Sequence, residues 1–264
     1  MTLIRNTNNW IEHAKEIIFA EDGVRVSVEA KNKDLLKFGR NSLVNTLKST
    51  IMTLPAGIDN EIFVNSNLIN TMVSTNPGDT QTVELEGHTI SGGLFTFVVQ
   101  NVTLTGQTPV ALSTPLARVS RIRNRLSATD LLGTIYVTET DTFSAGGVPN
   151  TPSKVHIMVN AGLNNSEKAA TTISNNDYWL VTKFYGDCLE KTATYGTVHF
   201  EVRLPGGVFF NLVDIAASTN FSGVHFFEPY VIIKPNSDVR LRALSSAVGK
   251  DFSGGIQGVL LTAQ

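Results

Sequence analysis

The sequence predicts an all-β fold, an antiparallel β-sandwich of jelly-roll-like character, preceded by a short N-terminal helix and an extended arm. Three observations predict it. From residue 58 to the end, about eleven short runs are rich in β-branched and aromatic residues, several with strict alternation. The breaks between them hold Asn-Pro-Gly, Ser-Gly-Gly, Ala-Gly-Gly, Pro-Gly-Gly and Pro-Asn-Ser, all turn chemistry. No helical pattern stands between the runs, so the crossovers that a parallel sheet needs are missing.

The elements follow in order. Asn8 or Asn9 offers a cap, and Trp10, Ala14, Ile17 and Ile18 then fall on one face of a helix that Gly23 closes. Such a helix is marginal alone and must lie against something. Packing on its own domain and docking on a neighbouring subunit are both open, and an assembly arm is the sharper expectation. VRVSVEA reads as a half-buried strand through Val24, Val26 and Val28. A basic stretch follows, with Lys31, Lys33, Lys37, Arg40 and Lys48 around the apolar LLKF, and Pro55 and Gly57 punctuate the chain. This divides the protein into an arm, residues 1–57, and a sandwich domain, residues 58–264. The arm is expected to be dispensable for folding of the sandwich. Within the sandwich, Phe95, Phe97 and Val99 oppose Thr96, Val98 and Gln100, and Val198, Phe200 and Val202 oppose His199, Glu201 and Arg203.

Composition narrows the function. Charged residues are 17% of the 264, the formal net charge is -2, and 42% are hydrophobic. A general nucleic-acid binder would be strongly basic and a disordered tail would be acidic. Ser, Thr and Asn make up roughly a quarter of the chain, in places where Glu, Lys and Arg usually stand. A neutral polar surface costs little to desolvate and suits packing against other subunits. The N-terminus lacks the apolar run and cleavage site of a signal peptide, and no stretch is long enough for a membrane span.

Chemistry-bearing patterns are sparse. The histidines His13, His88, His156, His199 and His225 stand apart, and Cys188 is alone, so neither a zinc motif nor a disulfide is expected. Phe184, Tyr185 and Leu189 around Cys188 suggest a buried thiol. Glu84 and Glu86 share one strand face; two solvated residues flanking Leu85 explain them better than a glycosidase pair. No catalytic residue, metal or cofactor is expected. One cluster stands out: Arg118, Arg121, Arg123 and Arg125, with no acid among them. On a strand the last three face one side and Arg118 the other. A solvated edge guarded by charge, a contact with a neighbouring subunit, and packaged DNA are the readings.

The runs LLKFGRN, VELEGHTISGGLFTFVVQNVTLTGQTPVALSTPLARVSRIRN, GTIYVTE, RLPGGVFFN, NSDVRLRA and GGIQGVLLTA resemble a family of tailed-bacteriophage virion structural proteins common in marine phages. The most specific element is V-x-L-x-G-Q-T-x-V-x-L with R-x-x-R, Val102 to Arg121, and the resemblance covers residues 35–264. It implies a virion component that assembles with itself and with capsid, portal or tail proteins, as a capsid-associated decoration or in the neck and tail. It carries no active-site residues. A fibre-type receptor or glycan binder is the alternative. A main coat protein is less favoured, because the common tailed-phage coat fold has a long spine helix and this chain shows no such pattern.

Overall fold

The computed structural model of the chain describes residues 7–27, 35–44, 46–56, 58–219 and 221–264. Val28, Lys31, Lys33 and Gly57 lie outside the described residues. The helix α1 spans Thr7–Asp22, so Asn8 and Asn9 sit within its first turn instead of capping it. Gly23, at φ +68°, ends it as expected, its N–H donating to Phe19 O at 3.0 Å.

The strands are β1 Val26–Ser27, β2 Leu35–Val44, β3 Ser49–Thr50, β4 Ile69–Ser74, β5 Thr82–Ser91, β6 Leu94–Thr103, β7 Val110–Leu116, β8 Arg118–Arg123 and β9 Ile135–Glu139. They continue as β10 Val155–Val159, β11 Asn165–Glu167, β12 Ala170–Thr172, β13 Asp177–Cys188, β14 Tyr195–Arg203, β15 Phe210–Ser218, β16 Gly223–Ile233, β17 Asp238–Ser245 and β18 Lys250–Ala263. Every pairing among them is antiparallel. The all-β sandwich expectation holds, and among the described residues α1 is the one α-helix.

There are two sandwiches rather than one. The first packs the sheet β10-β9-β4-β7 on the sheet β11-β8-β5-β6. Its core is the inward alternation of Ile69, Met72, Val83, Leu85, Leu112, Val119, Ile122, Ile135 and Val137. The second packs β1-β18-β13-β16, extended by β2, on β12-β17-β14-β15, extended by β3. Trp179, Phe184, Phe200, Phe252, Leu241 and Ile256 fill it. Their burial removes large apolar surface, each worth about 1.5–3 kcal/mol.

This topology redraws the expected domain division. Leu35–Val44, read from sequence as part of an arm, pairs with β18 from Lys250↔Val44 to Gly258↔Leu35. The second sandwich is therefore discontinuous in the chain, and the first, β4 to β11, is inserted into it. The physical reason is a shortage of strand partners: β18 has fourteen residues, and β1 covers only its last two paired positions. The segment before Pro55 supplies the rest.

Candidate functional site

The arginine cluster and the Glu84–Glu86 pair turn out to be parts of one structure. β5 pairs with β8 in the register Glu84↔Arg123, Glu86↔Arg121 and His88↔Arg118, with a bulge between Glu86 and Gly87. Residues opposite one another in an antiparallel pair share a face. The extra residue, Ser120, lets Val119 and Ile122 both enter the core. Arg118 thus joins Arg121 and Arg123 on the outer face instead of opposing them. Glu167 of β11, opposite Arg121, completes this charged face.

The second sandwich covers part of that face, and the two sandwiches meet there across the ion pairs Arg118–Asp238 and Lys37–Glu167. Arg118 donates from Nε to Asp238 of β17 at 3.0 Å and from Nη1 to the carbonyls of Val64 and Ala117. Its guanidinium also lies over the rings of Phe63 and Phe95. Asp238 accepts in addition from Arg203 Nε at 2.9 Å and the Thr172 hydroxyl at 2.5 Å. Arg121 donates to Glu167 at 2.8 Å, Arg123 to Glu84 at 3.0 Å and to Glu86, and Arg125 to Glu84 at 2.9 Å. Lys168 reaches Glu61 at 2.5 Å, both buried. Glu201 gathers Arg240, Arg242 and Lys48. The four arginines expected at a subunit or DNA contact are engaged within the chain, and only Arg125, 59% exposed along its side chain, reaches far into solvent. Glu84 and Glu86 are likewise buried, not solvated.

Burial in this seam sets protonation. Glu84 is burdened by desolvation, yet its bonds to Arg125 and Arg123 hold it below the usual carboxylate range. Burial pushes Glu167 up, against the pull of Arg121, and pushes Lys37 down. The Lys37 ammonium stands 3.8 Å from Glu167. Desolvation, followed by Lys37 and Arg118, lowers His88 to about 3, so its ring is neutral. His156 is also lowered to about 3, by burial and then Lys168 and Arg118, although Glu139 is 3.0 Å away. A neutral ring donating one N–H to that carboxylate accounts for both facts.

A cleft of about 450 Å³ opens along the seam, with Leu36, Lys37, Glu86, His88, Phe97 and Arg121 among its walls. Another, of about 580 Å³, is ringed by turns at Gly92–Gly93 and Pro205–Gly207 above Arg118 and Asp238. Among the described residues no group of three His, Cys, Asp or Glu is placed to hold a metal ion. Cys188 is buried in the second core, as its neighbours suggested.

The N-terminal stripe is covered by the chain's own sheet. Ala14 and Ile18 are fully buried against Tyr178, Leu180 and Leu261, with Trp10 packed beside Tyr230 at a ring separation of 5.6 Å. Ile17 is half-buried. Tyr178 donates to Asp22 at 3.1 Å, and Lys234 bridges to Asp22 and Glu21. The amphipathic period found the stripe; what it packs against was visible only in three dimensions.

The helix covers only part of the outer face of the β1-β18-β13-β16 sheet. Since Phe184 and Ile256 point into the core, their neighbours point out. Two cross-strand rows result: Val224–Tyr185–Gly255–Phe38, and Phe226–Lys183–Gln257–Leu36. Phe226 is 62% exposed, and Val224, Leu36 and Phe38 are exposed with it. Sequence reasoning missed this patch, because half of it belongs to β2.

The sequence matches no known protein family and no curated protein. Among solved structures the similarity is to structures of infectious bursal disease virus and is weak. The infectious bursal disease virus T13 particle aligns at 9% identity and a TM-score of 0.25, over 88% of this chain and 56% of that one. The Gt strain of the same virus aligns at 8% and 0.21, over 90% and 73%. The chain thus spans about half the length of the first of these, and likeness at such scores transfers no role.

Proposed function

We propose that the chain is a non-enzymatic structural subunit that assembles with copies of itself and with other proteins of a tailed-phage virion. One observation carries the assembly reading: charge is drawn into the interior while apolar side chains stand exposed on one sheet face. Many carboxylates and guanidiniums are spent on an intramolecular seam, while two exposed apolar pairs, Phe226 with Val224 and Leu36 with Phe38, stand on one outer sheet face on either side of Tyr185, Lys183 and Gln257. Apolar exposure of that kind on a sheet face marks a surface that another protein covers. The acid and base groups lining both clefts are largely occupied with one another, which favours scaffold over catalyst.

The phage setting, and placement on the capsid or in the neck and tail, rest on the sequence resemblance of residues 35–264. Sedimentation velocity on the purified chain tests assembly: concentration-dependent oligomers are expected, and a monomer at every soluble concentration refutes it. Antibody labelling of virions in electron micrographs tests the setting. Label confined to head or tail is expected, and unlabelled virions refute it.

A further inference from the structure

We infer that β6 is a pairing edge, and that its occupant is the β6 strand of a second copy of this chain, joined antiparallel across a two-fold axis. The inference rests on the assembly reading and names the surface and partner for it.

Open sheet edges invite unwanted pairing, and folded proteins blunt them with short strands, prolines, bulges or charges. Most of the edges here are blunted. β1, β3, β11 and β12 are two or three residues long. β7 carries Pro115 and its pairing with β4 shifts register. β10 has a register shift. β16 carries Pro229 and a shift against β13. β15 carries Asp214 and a shift against β14. β2 carries Lys37 and Arg40.

β6 has none of these. Its ten residues, LFTFVVQNVT, contain no charge and no proline, and pair with β5 without a register break from Thr82↔Thr103 to Ser91↔Leu94. The free side of the strand can be read from Phe95, whose N–H donates to Asn236 Oδ1 and whose carbonyl accepts from Asn175 N–H. Those partners lie outside the sheet, so the peptide groups of Phe95 point away from β5. By the two-residue alternation of a strand, those of Phe97, Val99 and Asn101 point the same way. Among the described residues they meet no backbone partner there. Phe97 and Val99 are also 46% and 50% exposed as residues.

The occupant follows from symmetry and charge. An antiparallel strand pair is compatible with a two-fold axis, so a strand can pair with its own copy in an isologous contact. Like residues then meet or lie close, which a charged strand would resist and an uncharged one does not. Pairing from Phe97 onward clears the capped Phe95 and joins two four-stranded sheets into one of eight strands.

The test is sedimentation velocity on the full chain and on Val99→Lys, which places a charge at the centre of the edge on an already exposed site. The expected result is a loss of dimerisation of more than about tenfold, with circular dichroism and melting unchanged. Val248→Lys, at a 70% exposed position between β17 and β18, serves as the contrast and should dimerise like the native chain. If the native chain assembles and Val99→Lys assembles equally well, the edge assignment falls while the assembly reading stands. If the native chain is a monomer throughout, both fall. Should Val99→Lys fail to fold, amide hydrogen exchange on the native chain decides. Protection at Phe97, Val99 and Asn101 that grows with concentration supports the pairing, and fast exchange at all concentrations overturns it.

Discussion

Replacing Asp238 by Asn separates the contribution of the seam from that of the two cores. The side chain keeps its shape and loses its charge, leaving Arg118 and Arg203 facing an amide. Arg118 is 5% exposed, so its guanidinium cannot turn to water. Removing one partner of a buried ion pair costs about 3–5 kcal/mol, because the other charge stays desolvated. Arg203, with 21% of its side chain exposed, adds less. In a protein of this size each kcal/mol shifts the melting temperature by about 2–4 °C, so a fall of about 6–20 °C is expected. Arg118 and Asp238 belong to different sandwiches, so the calorimetric transition should also broaden or split as their coupling weakens. Arg125→Ala is the control: it is well exposed, and its loss should stay within about 1 kcal/mol. Differential scanning calorimetry on the three proteins suffices. A shift below about 2 °C for Asp238→Asn would mean that apolar contacts, not this pair, hold the sandwiches together.

Further outcomes follow from the same geometry. His88 is held at about 3 when folded, against about 6.5 unfolded, so the unfolded chain takes up the proton first as pH falls. The stability of the neutral ring is complete above about pH 6.5 and drains toward pH 3, by up to about 1.4 kcal/mol per pH unit. In urea titrations His88→Gln should flatten that acid slope, and an unchanged slope counts against it. Gly87→Ala places a Cβ against the Arg118 carbonyl at the bulge and should lower stability, as read by thermal melting, well beyond the roughly 0.5 kcal/mol of a typical surface change. Deleting residues 1–50 removes β2 and the cover over Leu180 and Leu261; insoluble or unfolded protein is expected, and a soluble product with native melting would restore the separable arm. Cys188 should resist thiol reagents until denaturant unfolds the second core.

Much of the fold was legible because strand signals are local. All eleven runs picked out by alternation and turn chemistry contain strands, from β4 through β18. Those overlooked lacked a local signature. β7 contains Pro115, β11 and β12 are three residues long, and β15 mixes Asp214 into its apolar run. β2 was overlooked for another reason: Lys37 and Arg40 made it look solvated. Lys37 is tolerated in the interior only because Glu167 and Glu86 are brought to it from strands far along the chain.

By itself the sequence determined the class of structure: alternation, Gly and Pro punctuation, and the stripe of α1 depend on neighbours a few residues away. It also determined that charge is scarce and that Arg118 to Arg125 form one cluster. The tertiary structure alone decided where that charge goes. A single bulge at Ser120 rotates Arg118 onto the face of Glu84 and Glu86, and the second sandwich packs over Arg118 there through Asp238. Strand register and long-range pairing are set by the summed packing of two whole cores, and no short stretch of sequence contains that sum.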